Sequence, residues 1–196
     1  MHSVSFSVLS ADEFQPVLPR VAELRLNIFR EYPYLYDGTY ANEEEYLGRY
    51  LQSADFTLIL AKDGQRIVGA STCLPLSQEI NEIRAPLLQA GYDVEEVMYL
   101  GESVLSKAYR GLGIGKAFFH YRETQSHKLG KSYASFCAVE RPASHPLRPQ
   151  NYSSLQTFWR KQGYNRLDRI QASLFWKDVL MDKDTEKKLT FWIKKL

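Results

Sequence analysis

The chain has 196 residues, 44% of them hydrophobic and 24% charged, with a formal net charge of +2. A length within the range of one domain and an ordinary apolar fraction exclude disordered and fibrous architectures and imply a compact core. The mild charge, with acidic residues dispersed among the Lys and Arg, argues against nucleic acid as a partner, and no run approaches the ~20 apolar residues a membrane span requires. Residues 1–10 alternate apolar and polar without the charged and apolar regions of a signal peptide, so a cytoplasmic location is expected. The two cysteines, Cys73 and Cys137, each lie in an apolar strand-like run and are expected to be reduced and buried, without a disulfide.

Residues 3–9 alternate Val4, Phe6 and Val8 against serines and predict a strand. A helix over 11–30 follows, with Asp12 as its N-cap and Val21, Leu24 and Ile28 at helical spacing; Pro16 and Pro19 fall early in it. A tyrosine-rich loop over 31–40 leads to a helical pattern over 42–53. Residues 56–61 and 66–76 read as antiparallel strands joined by a turn containing Asp63-Gly64, a strong hairpin signal. A short helix over 77–91 has Ile80, Ile83, Leu87 and Leu88 on one face and ends at Gly91. Residues 95–107 form a long strand, and Gly101 near its middle marks a bulge or a close backbone approach.

The clearest helix spans 114–129, with Gly130 as its stop, and Tyr133–Val139 is a strand. After a proline-punctuated loop, a helix over 152–161 is followed by two strands, 164–170 and 172–179. The tail carries Lys187, Lys188, Lys194 and Lys195 and reads as a final helix with Leu189, Phe191, Trp192 and Ile193 turned inward. Strands and helices alternate around one sheet with no internal repeat or linker, an α/β or α+β arrangement.

The chemically informative segment is Val104-Leu105-Ser106-Lys107-Ala108-Tyr109-Arg110-Gly111-Leu112-Gly113-Ile114-Gly115-Lys116-Ala117, a strand passing through a glycine-rich turn into a helix. Glycines let successive backbone N–H groups face one point, and the helix N-terminus adds unpaired donors and the positive end of its dipole, so the segment suits an anion such as a pyrophosphate. A Walker A loop would need glycine at Arg110 and Ser or Thr at Ala117. A dinucleotide fingerprint starting at Gly111 would need glycine at Lys116. Neither fits.

What does fit is Arg-x-x-Gly-x-Gly, realised as Arg110, Gly113 and Gly115. It resembles the acetyl-CoA signature of the GNAT N-acetyltransferases, and the order of elements along most of the chain resembles theirs as well. The resemblance implies one GNAT-like domain over residues 1–196, with a mixed, mostly antiparallel sheet of about seven strands and helices on both faces. It implies N-acetyl transfer from acetyl-CoA to a primary amine. The amides of Arg110, Gly111, Leu112, Gly113, Ile114, Gly115 and Lys116 would hold the CoA pyrophosphate, and the backbone of Val104 and Leu105 its pantetheine arm.

Glu102 matches the position of the family's general base; against that stands an outward-facing, solvated carboxylate. Ser103 is a weaker neighbour. The later family motif is imperfect. Asn151 either binds pantetheine or caps a helix. Trp159 occupies the place of the family's acid tyrosine, which leaves Tyr152, or water, as the proton donor.

Tyr32, Tyr34, Tyr36 and Tyr40 either line the acceptor site or simply pack. The loop 140–149, with Arg141, Arg148 and His145, is a candidate for an acidic group of the acceptor, or is merely solvated. His120 and His127 are expected at the surface. No His, Cys or carboxylate cluster has metal-ligand spacing, so no metal is expected. Nothing supplies Cys137 with a base, so direct transfer in a ternary complex is favoured over an acyl-enzyme. Two other readings stand beside the transferase. One is a non-catalytic acyl-CoA-binding regulatory or sensor module; the other is a nucleic-acid or protein partner module, disfavoured by the weak charge. The acceptor's identity is open, as is a homodimer.

Overall fold

The computed structural model describes residues 3–196. Met1 and His2, part of the N-terminal segment read above, lie outside the described residues. Seven strands form one mixed sheet in the order β1-β2-β3-β4-β5-β7-β6. They are β1 (Val4–Leu9), β2 (Thr57–Asp63), β3 (Arg66–Pro75), β4 (Val97–Leu105), β5 (Tyr133–Val139), β6 (Asn165–Lys177) and β7 (Asp184–Lys195). All neighbours are antiparallel except β4 and β5. The helices are α1 (Ala11–Phe14), α2 (Leu18–Phe29), α3 (Tyr40–Tyr50), α4 (Asn81–Gln89), α5 (Ile114–Lys128) and α6 (Gln156–Lys161). The apolar faces of α1 to α4 pack with one side of the sheet in a core containing Phe14, Val21, Leu47, Leu58 and Leu87; α5 contributes Phe118 and Phe119 to cores with other strand side chains.

Several expectations about local structure are corrected. The helix expected over 11–30 is broken by a 3-10 turn at Gln15–Val17, where Pro16 supplies no N–H for a continuous ladder. Its N-cap is Ser10, not Asp12: Ser10 has extended backbone, and its N–H donates to Glu13 Oε2 at 2.9 Å. Leu88, expected on the buried face of α4, is exposed. The helix expected over 152–161 is confined to α6, with Leu155 as its N-cap, so Asn151 caps nothing and sits in an exposed turn. The two closing strands are one, β6, with a register irregularity between Leu167 and Gln171.

The largest correction is the tail, which is strand β7 and not a helix. It lies between β5 and β6, covered on both faces: Leu189 and Phe191 enter one core and Trp192 the other. A strand buried on both faces reads as a continuous apolar run, and positions 189, 192 and 193 also satisfy a helical period.

Two backbone features shape the centre of the sheet. The first is the β3–β4 register, which moves from Ser71↔Ser103 to Cys73↔Leu100, so that Thr72 alone faces both Gly101 and Glu102. This is the bulge expected at Gly101. A Cβ there would lie 2.4 Å from Thr72 Oγ1, which explains the glycine. The second is the parallel pairing of β4 with β5, which covers only Val97 to Tyr99 against Tyr133 to Ser135. From residue 100 onward the edge of β4 turned away from β3 has no strand beside it, and a wedge opens between the two strands.

Candidate active site

The bulge directs Glu102 into the face covered by α2 and α3, where it is 6% exposed. The solvated alternative is therefore set aside. Its Oε2 is 3.0 Å from Arg25 Nη1 and accepts from the hydroxyls of Tyr50 at 3.3 Å and Tyr46 at 3.4 Å. The two hydroxyls are 2.7 Å apart, and Thr72 Oγ1 accepts from the Glu102 N–H at 3.2 Å. Arg25 Nε also donates to Glu43, so one buried cation is shared by two buried carboxylates.

Burial alone would weaken the Arg25 charge. The neighbouring Glu102, Tyr46 and Glu43 more than offset it and hold the guanidinium above its ordinary pKa. Burial, then the Glu102 charge, pushes the hydroxyls of Tyr46 and Tyr50 well up, so both remain protonated donors. Glu102 Oε1 is sealed from solvent and has no hydrogen-bond partner among the described residues. A buried acceptor left open in this way is costly unless a ligand donor supplies the bond.

Glu102 lines a cavity of about 440 Å³ between α2, α3 and β6. Its walls are largely aromatic and aliphatic and include Phe29, Tyr34, Tyr99, Trp176 and Leu189. Of the four loop tyrosines singled out above, Tyr34 and Tyr36 line it, whereas Tyr40 is exposed. Tyr32 packs instead edge-on against Tyr152, with ring centroids 4.7 Å apart.

Tyr152 is placed outside this cavity, beneath the Arg148 guanidinium at 5.0 Å. Burial, together with Tyr32, raises its pKa and keeps its proton on. Trp159 is packed between Phe136 and Trp192, each 5.1 Å away, in a structural role. His120 and His127 are exposed, as expected. Cys137 also borders the cavity; burial pushes its thiol up to about 12, and it lies 3.2 Å from the Tyr99 hydroxyl.

Arg141 corrects another expectation. Its guanidinium forms a bidentate pair with Asp178 and donates to the carbonyls of Pro33 and Tyr34 at 2.9 and 2.8 Å, which engages all three of its nitrogens. It clamps the tyrosine loop onto the end of β6 and is closed to an acidic acceptor. Arg141→Ala should lower the unfolding free energy by about 1–3 kcal/mol, because the carbonyls of Pro33 and Tyr34 lose their donors and Asp178 is left with Lys187 alone, 3.3 Å away; urea denaturation measures this.

The glycine loop follows β4, beyond its last residue Leu105. Gly111 and Gly113 have φ of +80° and +83°, a region glycine occupies without penalty. Among the described residues, the amides of Gly111, Leu112, Gly113, Ile114, Gly115 and Lys116 find no acceptor in the protein; the first bond of α5 runs from Ala117 N to Gly113 O. A Cβ at Gly113 would meet nothing within 4 Å, so the cradle is open. Converging donors at a helix N-terminus beside a wedge in the sheet fit a pyrophosphate followed by an extended arm. Arg110 does not face this cradle. Its guanidinium holds Glu31 at 2.8 and 3.0 Å, and its Nε donates to the Leu105 carbonyl at 3.2 Å, pinning the loop to the end of α2. Val104 is buried and Leu105 half-buried, both on the part of β4 that borders the wedge.

Sequence reasoning missed Arg25, Glu43, Tyr46 and Tyr50. A signal was present: Arg25 continues the stripe of Leu18 and Val21, and Glu43 that of Leu47 and Tyr50. A charge within an apolar stripe is a candidate for a buried ion pair.

A sequence profile of the acetyltransferase (GNAT) family matches residues 20–148. No curated protein matches the chain in sequence. Among solved structures, the chain is similar to an acetyltransferase from Thermus thermophilus (16% identity, 100% of each chain, TM-score 0.58). It is also similar to yncA from Salmonella typhimurium, determined with its cofactor acetyl-CoA (11% identity, 97% of this chain and 94% of that one, TM-score 0.59). A third is a ribosomal-protein-alanine N-acetyltransferase from Brucella melitensis (13% identity, 98% and 99%, TM-score 0.60). At these identities the likeness is one of fold.

Proposed function

Since the chain belongs to the GNAT acetyltransferase family, we propose that it transfers the acetyl group of acetyl-CoA to a primary amine of an acceptor with an apolar body, directly in a ternary complex. The observation that carries this reading is the run of amides from Gly111 to Lys116, unpartnered among the described residues and gathered at the head of α5. These amides would hold the pyrophosphate, with the backbone of Val104 and Leu105 along the arm. Acetyl-CoA, when bound, supplies an activated thioester.

Glu102 is the base in this reading. Its open Oε1 receives the amine proton, while Arg25, Tyr46 and Tyr50 hold Oε2 and fix the carboxylate's direction. The apolar walls orient the acceptor and exclude water. Tyr152, kept protonated beside the loop after β5, is the side chain we assign as proton donor to the departing thiolate, with Asn151 next to it toward the pantetheine. We extend the family fold to residues 1–196 as one domain, working in the cytoplasm without a metal.

The test is thiol release from acetyl-CoA against a panel of primary amines with apolar, charged and peptide bodies. Turnover with apolar-bodied amines is expected, and tight acetyl-CoA binding without turnover on any amine would favour the sensor module instead. Direct transfer also predicts that mass spectrometry finds no acetyl group on Cys137 after incubation with acetyl-CoA. A thiol held near 12 leaves almost no thiolate to attack the thioester.

A further inference from the structure

Beside the acceptor cavity lies a second cavity of about 530 Å³, whose lining includes Tyr46, Tyr50, Gln78 and Glu79. Glu79 Oε1 is, with Glu102 Oε1, a sealed carboxylate oxygen without a partner among the described residues. Its other oxygen accepts only the Ile80 N–H, at 3.1 Å, and no cation pairs with it among the described residues. The tyrosines bonded to Glu102 also line the cavity that Glu79 lines, and both feel the Glu79 charge. The hydroxyls of Tyr46 and Tyr50, bonded to each other, both reach Glu102 Oε2, while their rings form part of the second cavity's wall.

A base that takes a proton at each turnover must lose it before the next, and the acceptor cavity is then filled by product. We infer that the proton leaves by way of this second cavity, from Glu102 through the hydroxyls of Tyr50 and Tyr46 to Glu79, which releases it into that cavity. The inference rests on the base assignment above.

Only O–H bonds change. Once protonated the Glu102 carboxyl is neutral and its hold on Arg25, which keeps Glu43, is weakened, so it turns about its Cγ–Cδ bond and gives its proton to Tyr50 as Tyr50 gives its own to Tyr46. Tyr46 passes one to the Glu79 carboxylate directly or through solvent in the cavity. Each tyrosine ends with the proton count it began with, and Glu102 returns to the carboxylate. Burial, with the Glu102 charge, keeps both hydroxyls far from ionising, so they relay and do not store. Burial, opposed by the Ile80 N–H and reinforced by Glu102, pushes Glu79 up to about 7, where a carboxyl both accepts and releases near neutrality. The charged groups around it are Glu102 and Arg49; Arg49 sits over the Tyr46 ring at 4.9 Å.

The experiment compares wild type, Glu79→Gln, Glu79→Asp, Tyr46→Phe and the Glu79→Gln/Tyr46→Phe double variant. The acceptor is whichever amine of a panel including 2-phenylethylamine turns over fastest. Glu79→Gln is expected to lower kcat about tenfold with the KM for acetyl-CoA unchanged, to raise the solvent deuterium isotope effect, and to recover as imidazole buffer is raised. Glu79→Asp should retain most of the rate, and the double variant should be no slower than the slower single variant. Wild-type kcat in folded Glu79→Gln, or a loss that imidazole leaves untouched, overturns the exit. Glu102→Gln separates the two readings. If it is inactive while Glu79→Gln is normal, only the exit falls; if it turns over like wild type, or if no amine is acetylated by the wild type, the base or transferase reading falls and the exit with it.

Discussion

Glu102→Gln is expected to reduce kcat for acetyl transfer by about 10²–10⁴-fold, the range for removing a positioned general base. The amide keeps the shape of the carboxyl and can still bond the tyrosine hydroxyls, but it cannot take the amine proton. Arg25 retains Glu43, so the buried cation is not stranded and the fold should survive. Acetyl-CoA affinity should be unchanged, because the Gly111 to Lys116 amides lie beyond the end of β4 and, among the described residues, none of them bonds Glu102. Steady-state kinetics over pH, with calorimetry for the cofactor, check this. A kcat within threefold of wild type would remove Glu102 from the chemistry and leave its ion pair as a purely structural device.

The Gly113→Asp/Gly115→Asp variant should abolish measurable acetyl-CoA binding. The amides themselves remain, but the new carboxylates occupy and charge the space a pyrophosphate would fill; displacing it from two amides, each charge-assisted bond being worth about 1.5–3 kcal/mol, weakens binding by at least about a hundredfold. The positions differ in what they tolerate. At Gly113 the Cβ has open space, and aspartate is among the residues that enter positive φ most readily. At Gly115 the Cβ would meet Phe158 Cζ at 3.4 Å, so the ring of α6 must shift slightly. Circular dichroism and thermal melts should show a folded variant, and calorimetry should show no heat of binding. Retained affinity in the folded variant would place the cofactor elsewhere and leave the glycine turn a structural one.

Sequence and structure agree at several places where the determining interactions are local. The strand at 4–9, although its Val8 is exposed, the turn at Gly64 with φ +58°, the extent of Tyr133–Val139, and the glycine stop of α5 at Gly130 with φ +65° follow from period, turn chemistry and the conformational freedom of glycine. The bulge at Gly101 was legible for the same reason, since only glycine admits Thr72 at that distance.

By itself the sequence determined the mixed sheet, the glycine-rich loop with its spacing, and a carboxylate one residue beyond the bulge. Tertiary structure alone decided that this carboxylate is buried, that Arg25 is shared between it and Glu43, and that Arg141 is a clamp rather than a ligand for the acceptor. It also decided that Leu189 to Ile193 form a strand covered on both faces. Each of these depends on partners far away in sequence: Arg25 meets Glu102 from α2 to β4, and β7 is inserted between β5 and β6. Local pattern reports which side chains must leave water. Which neighbours then satisfy their charges and hydrogen bonds is settled only when the sheet brings them together.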